Sequence, residues 1–204
     1  MGFYNDRILP FLLHLAMRQR NLAAYRSRVI PAAAGRVLEI GIGSGLNLPF
    51  YATTVDRIIG LDPSPKLLTM AREARRETPA SVELVESSAE AIPLSDGSID
   101  TVVTTWTMCS IPDVHRALGE MRRVLKPGGR LLFVEHGRAP DLNVRKWQDR
   151  LTPAWRYIGG GCHLNRAIGE LVEGAGFRIE RLDTGYMRGP KPMVFMYEGS
   201  ARPR

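Results

Sequence analysis

The stretch Val37-Leu38-Glu39-Ile40-Gly41-Ile42-Gly43-Ser44-Gly45 constrains the fold of this chain more than any other, because an apolar run ends in an acid and opens into three alternating glycines. Residues 36–40 read as a short buried strand. Glycine carries no Cβ, so the backbone that follows can turn tightly and come close to a ligand. A dinucleotide-binding fingerprint needs glycines at the first, third and sixth places. Here the sixth place is Leu46 and the third glycine, Gly45, stands fifth, which weakens a nicotinamide reading. Glu39 at the strand end would repel a pyrophosphate and suits a ligand with positive charge. Taken alone, the loop is also compatible with an ordinary strand-to-helix turn.

The rest of the chain repeats the alternation of strand and helix. Residues 3–28 read as one helix, with Ile8, Leu12 and Leu15 near one face and Arg18, Arg20, Arg26 and Arg28 towards its end. It reads as a helical cap over residues 1–30, packed on the sheet or closing over the site; an interfacial helix dipping leucines into lipid is the other reading. Residues 46–51 open a short helix with Asn47 facing the ligand. A second strand over 55–61 ends in Asp62, 21 residues past Gly41, where a βαβ unit places the acid that bonds ribose hydroxyls. Pro63, Ser64 and Pro65 then start a helix through residue 76. Strands follow at 82–86, 99–103 and 130–135. The fourth of the five strands delivers Thr104, Thr105 and Trp106 to the carboxyl edge, where open α/β sheets bind ligands. A helix over 113–125 stops at Lys126-Pro127-Gly128-Gly129. Residues 136–165 form a connection too long for a bare loop, with a helix expected near 144–151. A last helix at 166–175, strands at 178–183 and 193–197, and a frayed tail from Ser200 complete the reading.

The glycine loop, followed in order by Asp62, by Ser87-Ser88-Ala89-Glu90 and by Arg123-Val124-Leu125-Lys126-Pro127-Gly128-Gly129, resembles the class I S-adenosylmethionine methyltransferases, whose first motif is written E-x-G-x-G-x-G. Further strings narrow the resemblance: Asp96-Gly97-Ser98-Ile99-Asp100, Cys109-Ser110, Glu135-His136, Trp147-Gln148, Pro153-Ala154-Trp155 and Gly161-Cys162-His163-Leu164-Asn165-Arg166. Together they are similar to the alkyl thiol methyltransferases and their bacterial relatives, over nearly the whole chain beyond residue 30. The resemblance implies a single domain with a Rossmann-like, doubly wound, seven-stranded sheet. That sheet is mostly parallel with an antiparallel last strand, and helices cover both faces.

The resemblance also implies S-adenosylmethionine as cofactor, held by Tyr4, Glu39, Gly41, Gly43, Gly45, Asn47, Asp62, Pro63, Ser88, Ala89, Glu90 and Thr105. The family usually has aspartate where this chain has Ser88, which leaves the Ala89 N–H as the better adenine contact. Residues 136–165 become the acceptor-site insertion, and Trp106, Cys109, Trp155 and Cys162 the candidate acceptor pocket. Cys109 and Cys162 also read as buried packing residues. For a thiol acceptor, His136 is the first candidate base, His163 the second and Asp113 the third, although a histidine in such a place often only bonds loop carbonyls. The implied acceptor is small and rather apolar. A quinone ring or phospholipid amine is the alternative within the fold, and a cofactor-binding module without turnover is the alternative outside it.

Composition excludes several classes. A chain of 204 residues can bury a real core, and 44% hydrophobic with 24% charged residues is globular. The net charge of +7 comes from scattered arginines, and the proline-rich or cysteine motifs of DNA methyltransferases do not follow the fourth strand, so no nucleic-acid partner is expected. Two cysteines and no secretory signal point to a reducing cytoplasm. Any membrane contact is expected to be peripheral, at the inner face and through residues 3–28. Two thiols alone suggest no metal site.

Overall fold

The computed structural model describes residues 8–204. Its helices and strands are α1 (Leu9–Met17), α2 (Arg20–Val29), β1 (Gly35–Ile40), β2 (Val55–Asp62), α3 (Pro65–Ala74), β3 (Ser81–Glu86), β4 (Ile99–Thr105), α4 (Val114–Val124), β5 (Leu125–His136), α5 (Leu142–Ile158), α6 (Ile168–Gly174), β6 (Phe177–Tyr186) and β7 (Phe195–Pro203). The seven strands lie in the order β3-β2-β1-β4-β5-β7-β6. The β1–β2, β1–β4, β2–β3 and β4–β5 pairs are parallel, and β7 runs antiparallel to both β5 and β6. The central strands β1, β2, β4 and β5 are buried on both faces, as crossover connections require, whereas the edge strands β3 and β6 are largely exposed.

Side-chain alternation along the strands divides the core into two layers. Leu38, Phe133 and Phe177 meet α4 and α6 through Leu118, Met121, Ile168 and Val172 on one face. Val37, Ile58, Val103 and Leu132 meet α2 and α3 through Val29 and Leu68 on the other. Local chemistry sets the helix starts. Ser64 Oγ accepts from the Leu67 N–H at the head of α3, and Asp113 Oδ1 accepts from the Arg116 N–H at the head of α4. Asp113, the third candidate base, is therefore a helix cap.

Five local expectations are corrected. The first helix, of whose expected span residues 3–7 lie outside the described residues, is two from residue 8 on, because Gln19 takes an extended conformation (ψ 142°) between α1 and α2. Residues 46–51 hold only a single 3-10 turn, Leu48–Phe50. Lys126–Gly129 does not precede β5 but loops out within it, since Ile99 pairs with Leu125 and Thr101 with Arg130. The helix of the 136–165 connection runs over Leu142–Ile158 and tolerates Pro153 inside it. It is stapled by buried Gln148, which donates to the carbonyls of Gly137 and Leu164 and accepts from the Ala139 N–H. Finally, the expected frayed tail is strand: Ser200 and Ala201 pair with Leu132 and Leu131, and Ala201 is fully buried.

Candidate active site

The order of strands reverses between β1 and β4, and their carboxyl ends open a crevice there. Two glycines shape its floor. Gly41 (φ +66°) lies so close to Thr107 that a Cβ would stand 2.3 Å from its hydroxyl oxygen. Gly43 (φ +56°) faces open space, with nothing nearer than 3.9 Å to a Cβ, and donates its N–H to Asp62 Oδ2 at 3.0 Å. Gly45 has a different duty, packing against Ala74 and Leu48. Asp62 is 5% exposed, and its other oxygen accepts from the Ser64 N–H at 2.8 Å. Burial raises its pKa, against the two backbone hydrogen bonds that lower it.

Above this floor lies a cavity of about 400 Å³. Gly41, Gly43, Asn47, Asp62, Pro63, Ser88, Ala89, Thr105 and Trp106 line it. The wall opposite comes from α1, through Leu9, Leu13, His14 and Met17, and from Gly159 and Gly160 at the end of α5. His14, Arg26 and Ser110 line the cavity without having been singled out in sequence. They carry no local signature, and only the folding of α1 and α2 back over the crevice brings the first two there. His14 Nδ1 sits 2.7 Å from Ser44 Oγ. Burial and then Arg18 lower its pKa.

Glu39 stands one side chain behind the wall. It is 1% exposed and accepts from Asn47 Nδ2 at 2.8 Å and from the Tyr51 hydroxyl at 2.7 Å. Asn47 donates also to Thr105 Oγ1 and accepts from Arg26 Nε, so β1, β4 and α2 meet in one amide. Burial pushes the Glu39 carboxyl up to about 7, against the Tyr51 and Asn47 bonds and the Arg26 charge. Arg26 is itself lowered to about 10 by burial. Its guanidinium carbon lies 4.8 Å from the centre of the Trp106 ring, and Trp106 holds φ +51°. Glu90 also stays outside the wall. It accepts from Ser88 Oγ and from the Asp113 N–H, tying the Ser88 loop to the head of α4.

The remaining candidates form a second group. His136, Cys109 and Cys162 come together beside the cavity but outside its wall, with His136 Nε2 3.0 Å from Cys162 Sγ. The Trp155 indole N–H donates to Cys162 Sγ. His163 sits outside the wall too, its ring Nδ1 3.1 Å from the Cys109 carbonyl. Neighbouring Glu135 is fully buried. Its Oε1 accepts from the Thr104 hydroxyl and from the Thr107 and Met108 N–H groups, whereas Oε2 has no partner among the described residues. Burial, and then the Cys109 thiol, push its pKa up to about 8. The hydrogen bond from Cys162 holds the Cys109 thiol below its ordinary range, and Cys162 is raised in turn. Tyr4 lies outside the described residues.

Comparison with known proteins agrees with this geometry. The methyltransferase domain family matches residues 38–133, from β1 into β5. Human thiol S-methyltransferase TMT1B is 35% identical over 176 residues, covering 83% of this chain and 70% of that protein. The rat TMT1B is 36% identical over 151 residues, covering 72% of this chain and 62% of its own length. A solved S-adenosylmethionine-dependent methyltransferase from Thermotoga maritima superposes with a TM-score of 0.71 at 22% identity, over 98% of this chain and all of that one. The chain is thus an S-adenosylmethionine-dependent class I methyltransferase of small molecules and belongs to the family of the thiol S-methyltransferases TMT1A and TMT1B.

Proposed function

We propose that this chain methylates the sulfur of a small apolar thiol. One observation carries the reading: the cavity over Gly43 and Asp62 is closed by apolar side chains of α1, and its only ionisable lining residues, among those described, are His14, Arg26 and Asp62. The α1 side of that wall, Leu9, Leu13 and Met17, suits an uncharged alkyl group. The name of the TMT1B relatives points to the same acceptor atom.

The residues fit the cofactor. Each Asp62 oxygen accepts one backbone N–H and keeps a lone pair for a ribose hydroxyl. Gly43 adds no side chain where the ligand must pass. Because the Ser88 hydroxyl is engaged with Glu90, the Ala89 N–H is the adenine-side donor. When bound, S-adenosylmethionine supplies an activated methyl group and its own leaving group, so that a new sulfur–carbon bond forms as the sulfonium bond breaks. The chain has to hold the acceptor in line and take the thiol proton. His14 takes that proton. It lines the cavity, and its lowered pKa keeps it neutral at pH 7. His136, the first candidate from sequence, is turned into the cysteine cluster instead.

A labelled-methyl assay across alkyl thiols, phenols, quinones and amines tests the acceptor. Thiols alone should be methylated; preference for another class overturns the reading, and cofactor binding with no methylated acceptor makes the chain a binding module. A thiol of pKa about 8.5 is only about 3% thiolate at pH 7, so His14→Gln should slow turnover up to about 30-fold there. The loss should vanish above the thiol pKa. An equal loss at every pH removes His14 from the proton transfer.

A second reading concerns location. Phe11, Leu12 and Leu15 are exposed on α1, the helix that supplies Leu9, Leu13, His14 and Met17 to the cavity, and Tyr157 is exposed near the end of α5; Arg18, Arg20, Arg150 and Arg156 are exposed on or next to the same two helices. Among the described residues no helix is long and apolar enough to cross a membrane. This pair of helices suits contact with an anionic lipid surface from the cytoplasmic side, through which apolar acceptors would enter. Co-sedimentation with anionic vesicles, lost in a Phe11→Glu, Leu15→Glu double variant, checks it; equal sedimentation of that variant removes α1 from the contact.

A further inference from the structure

Cys109 follows β4, His136 ends β5 and Cys162 follows α5, yet their donor atoms all lie within 4.8 Å of one another. The three residues are 2%, 9% and 9% exposed. Packing accounts for a buried cysteine, but not for a buried imidazole that, among the described residues, meets a thiol at Nε2 and has no partner at Nδ1. A disulfide between the cysteines would leave the imidazole equally unexplained.

We infer that Cys109, Cys162 and His136 form a binding site for a soft metal ion of the Zn²⁺ type, separate from the cofactor cradle. Two thiolates and an imidazole are the donors such ions prefer. Tetrahedral Zn²⁺, with bonds of about 2.3 Å to sulfur and 2.0 Å to nitrogen, sets its ligand atoms about 3.5–3.8 Å apart. The donor atoms lie within 4.8 Å of one another, so the 3.0 Å His136–Cys162 contact has to open by about 0.5 Å and the widest pair has to close by at most about 1 Å. Two thiolates also neutralise a divalent ion, which removes the main cost of burying it. The Trp155 N–H gives one sulfur the outer hydrogen bond such ligands use. His136 Nδ1 lacks the acceptor that most ligating histidines have, so the ion should be exchangeable and not required for folding. Three protein donors leave the fourth position to a small exogenous ligand.

The test uses the whole chain, free of any affinity tag and reduced with a phosphine. Titration of Zn²⁺ against a chromophoric chelator should show one ion per chain. Co²⁺ should give a thiolate-to-cobalt charge-transfer band together with the ligand-field bands of a tetrahedral ion. Cys109→Ser and Cys162→Ser should each weaken Zn²⁺ at least tenfold, and the double variant should bind none. A thermal melt of each apo variant establishes that it is folded. Where a variant unfolds, peptide mapping of the wild type decides, because bound Zn²⁺ should protect Cys109 and Cys162 together from alkylation. No stoichiometric Zn²⁺, an undiminished site in the double variant, or cysteines equally alkylated with and without Zn²⁺ overturns the inference. Cofactor titration is a separate readout, so failure of the metal site leaves the methyltransferase reading standing.

Discussion

Glu39 and Glu135 end β1 and β5 on either side of β4, and both are buried carboxyls raised by that burial, yet they are satisfied differently. Both oxygens of Glu39 are used, one by Asn47 and one by Tyr51. Among the described residues, Glu135 puts three donors on one oxygen and none on the other, beside a histidine that also has an unpartnered nitrogen. The first side is closed on itself and serves to fix Asn47, Thr105 and Arg26 at the edge of the cavity. The second has polar capacity left over, as a region built for a ligand does. One fold thus places a rigid cradle and an unsaturated cluster on the two flanks of the same strand.

The sharpest way to break this contrast is to remove each acid. Glu39→Ala leaves Asn47 and Tyr51 each short of an acceptor in the core, at a cost of about 3–5 kcal/mol measured by urea unfolding. It should also weaken cofactor binding, because Asn47 forms part of the wall. Glu135→Ala should destabilise about as much through the lost Thr107 and Met108 bonds, but leave cofactor affinity near that of the wild type. If both variants change cofactor affinity equally, the two sides are not separable.

Asp62→Ala comes next. Loss of a charge-assisted contact to each ribose hydroxyl should weaken S-adenosylmethionine binding about 100-fold, or near 3 kcal/mol, in calorimetry. Unchanged affinity would remove Asp62 from the cradle.

A pH series sharpens the comparison on the Glu39 side. Its folded pKa, about 7, lies above the ordinary value of 4.5. Between those values the folded chain holds a proton that the unfolded chain has lost, so this group contributes stability below pH 4.5 that is lost as pH rises towards 7. The loss should be on the order of 3 kcal/mol. Glu39→Gln should flatten that part of the stability profile when wild type and variant are compared at each pH. A parallel pair of profiles would mean that Glu39 does not titrate there.

The smallest effect belongs to Ser88→Ala. Its hydroxyl serves Glu90 and the loop, so the loss should be about 0.5–1.5 kcal/mol of stability. Cofactor affinity should change less than about fivefold, and a larger drop would give Ser88 a direct adenine contact.

Much of this was legible in the residues themselves. The strand-glycine-acid pattern of residues 37–45 and the placing of Asp62 describe a cradle because positive φ, close approach and a strand-end acid are local requirements, written in contiguous residues. Helix starts at Ser64 and Asp113 are local for the same reason. The tail was misread because residues 200–203 are small, polar or basic, and only pairing with β5 and β6 makes them strand. His14 and Arg26 looked like any residues of a basic helix. Their place in the cavity depends on the break at Gln19 and on the way α1 and α2 lie over the sheet edge.

The sequence by itself determines the strands and helix starts and the glycine loop with Asp62, because apolar period, glycine and capping residues act over a few positions; the ordered motifs add, by resemblance, the doubly wound sheet and the family. Tertiary structure alone decides that α1 brings a histidine to the wall of the cavity, that Glu39 supports that wall from behind, and that Cys109, His136 and Cys162 meet. Those outcomes rest on the summed packing of segments up to 53 residues apart in the Cys109–Cys162 pair, and no short stretch of sequence carries that sum.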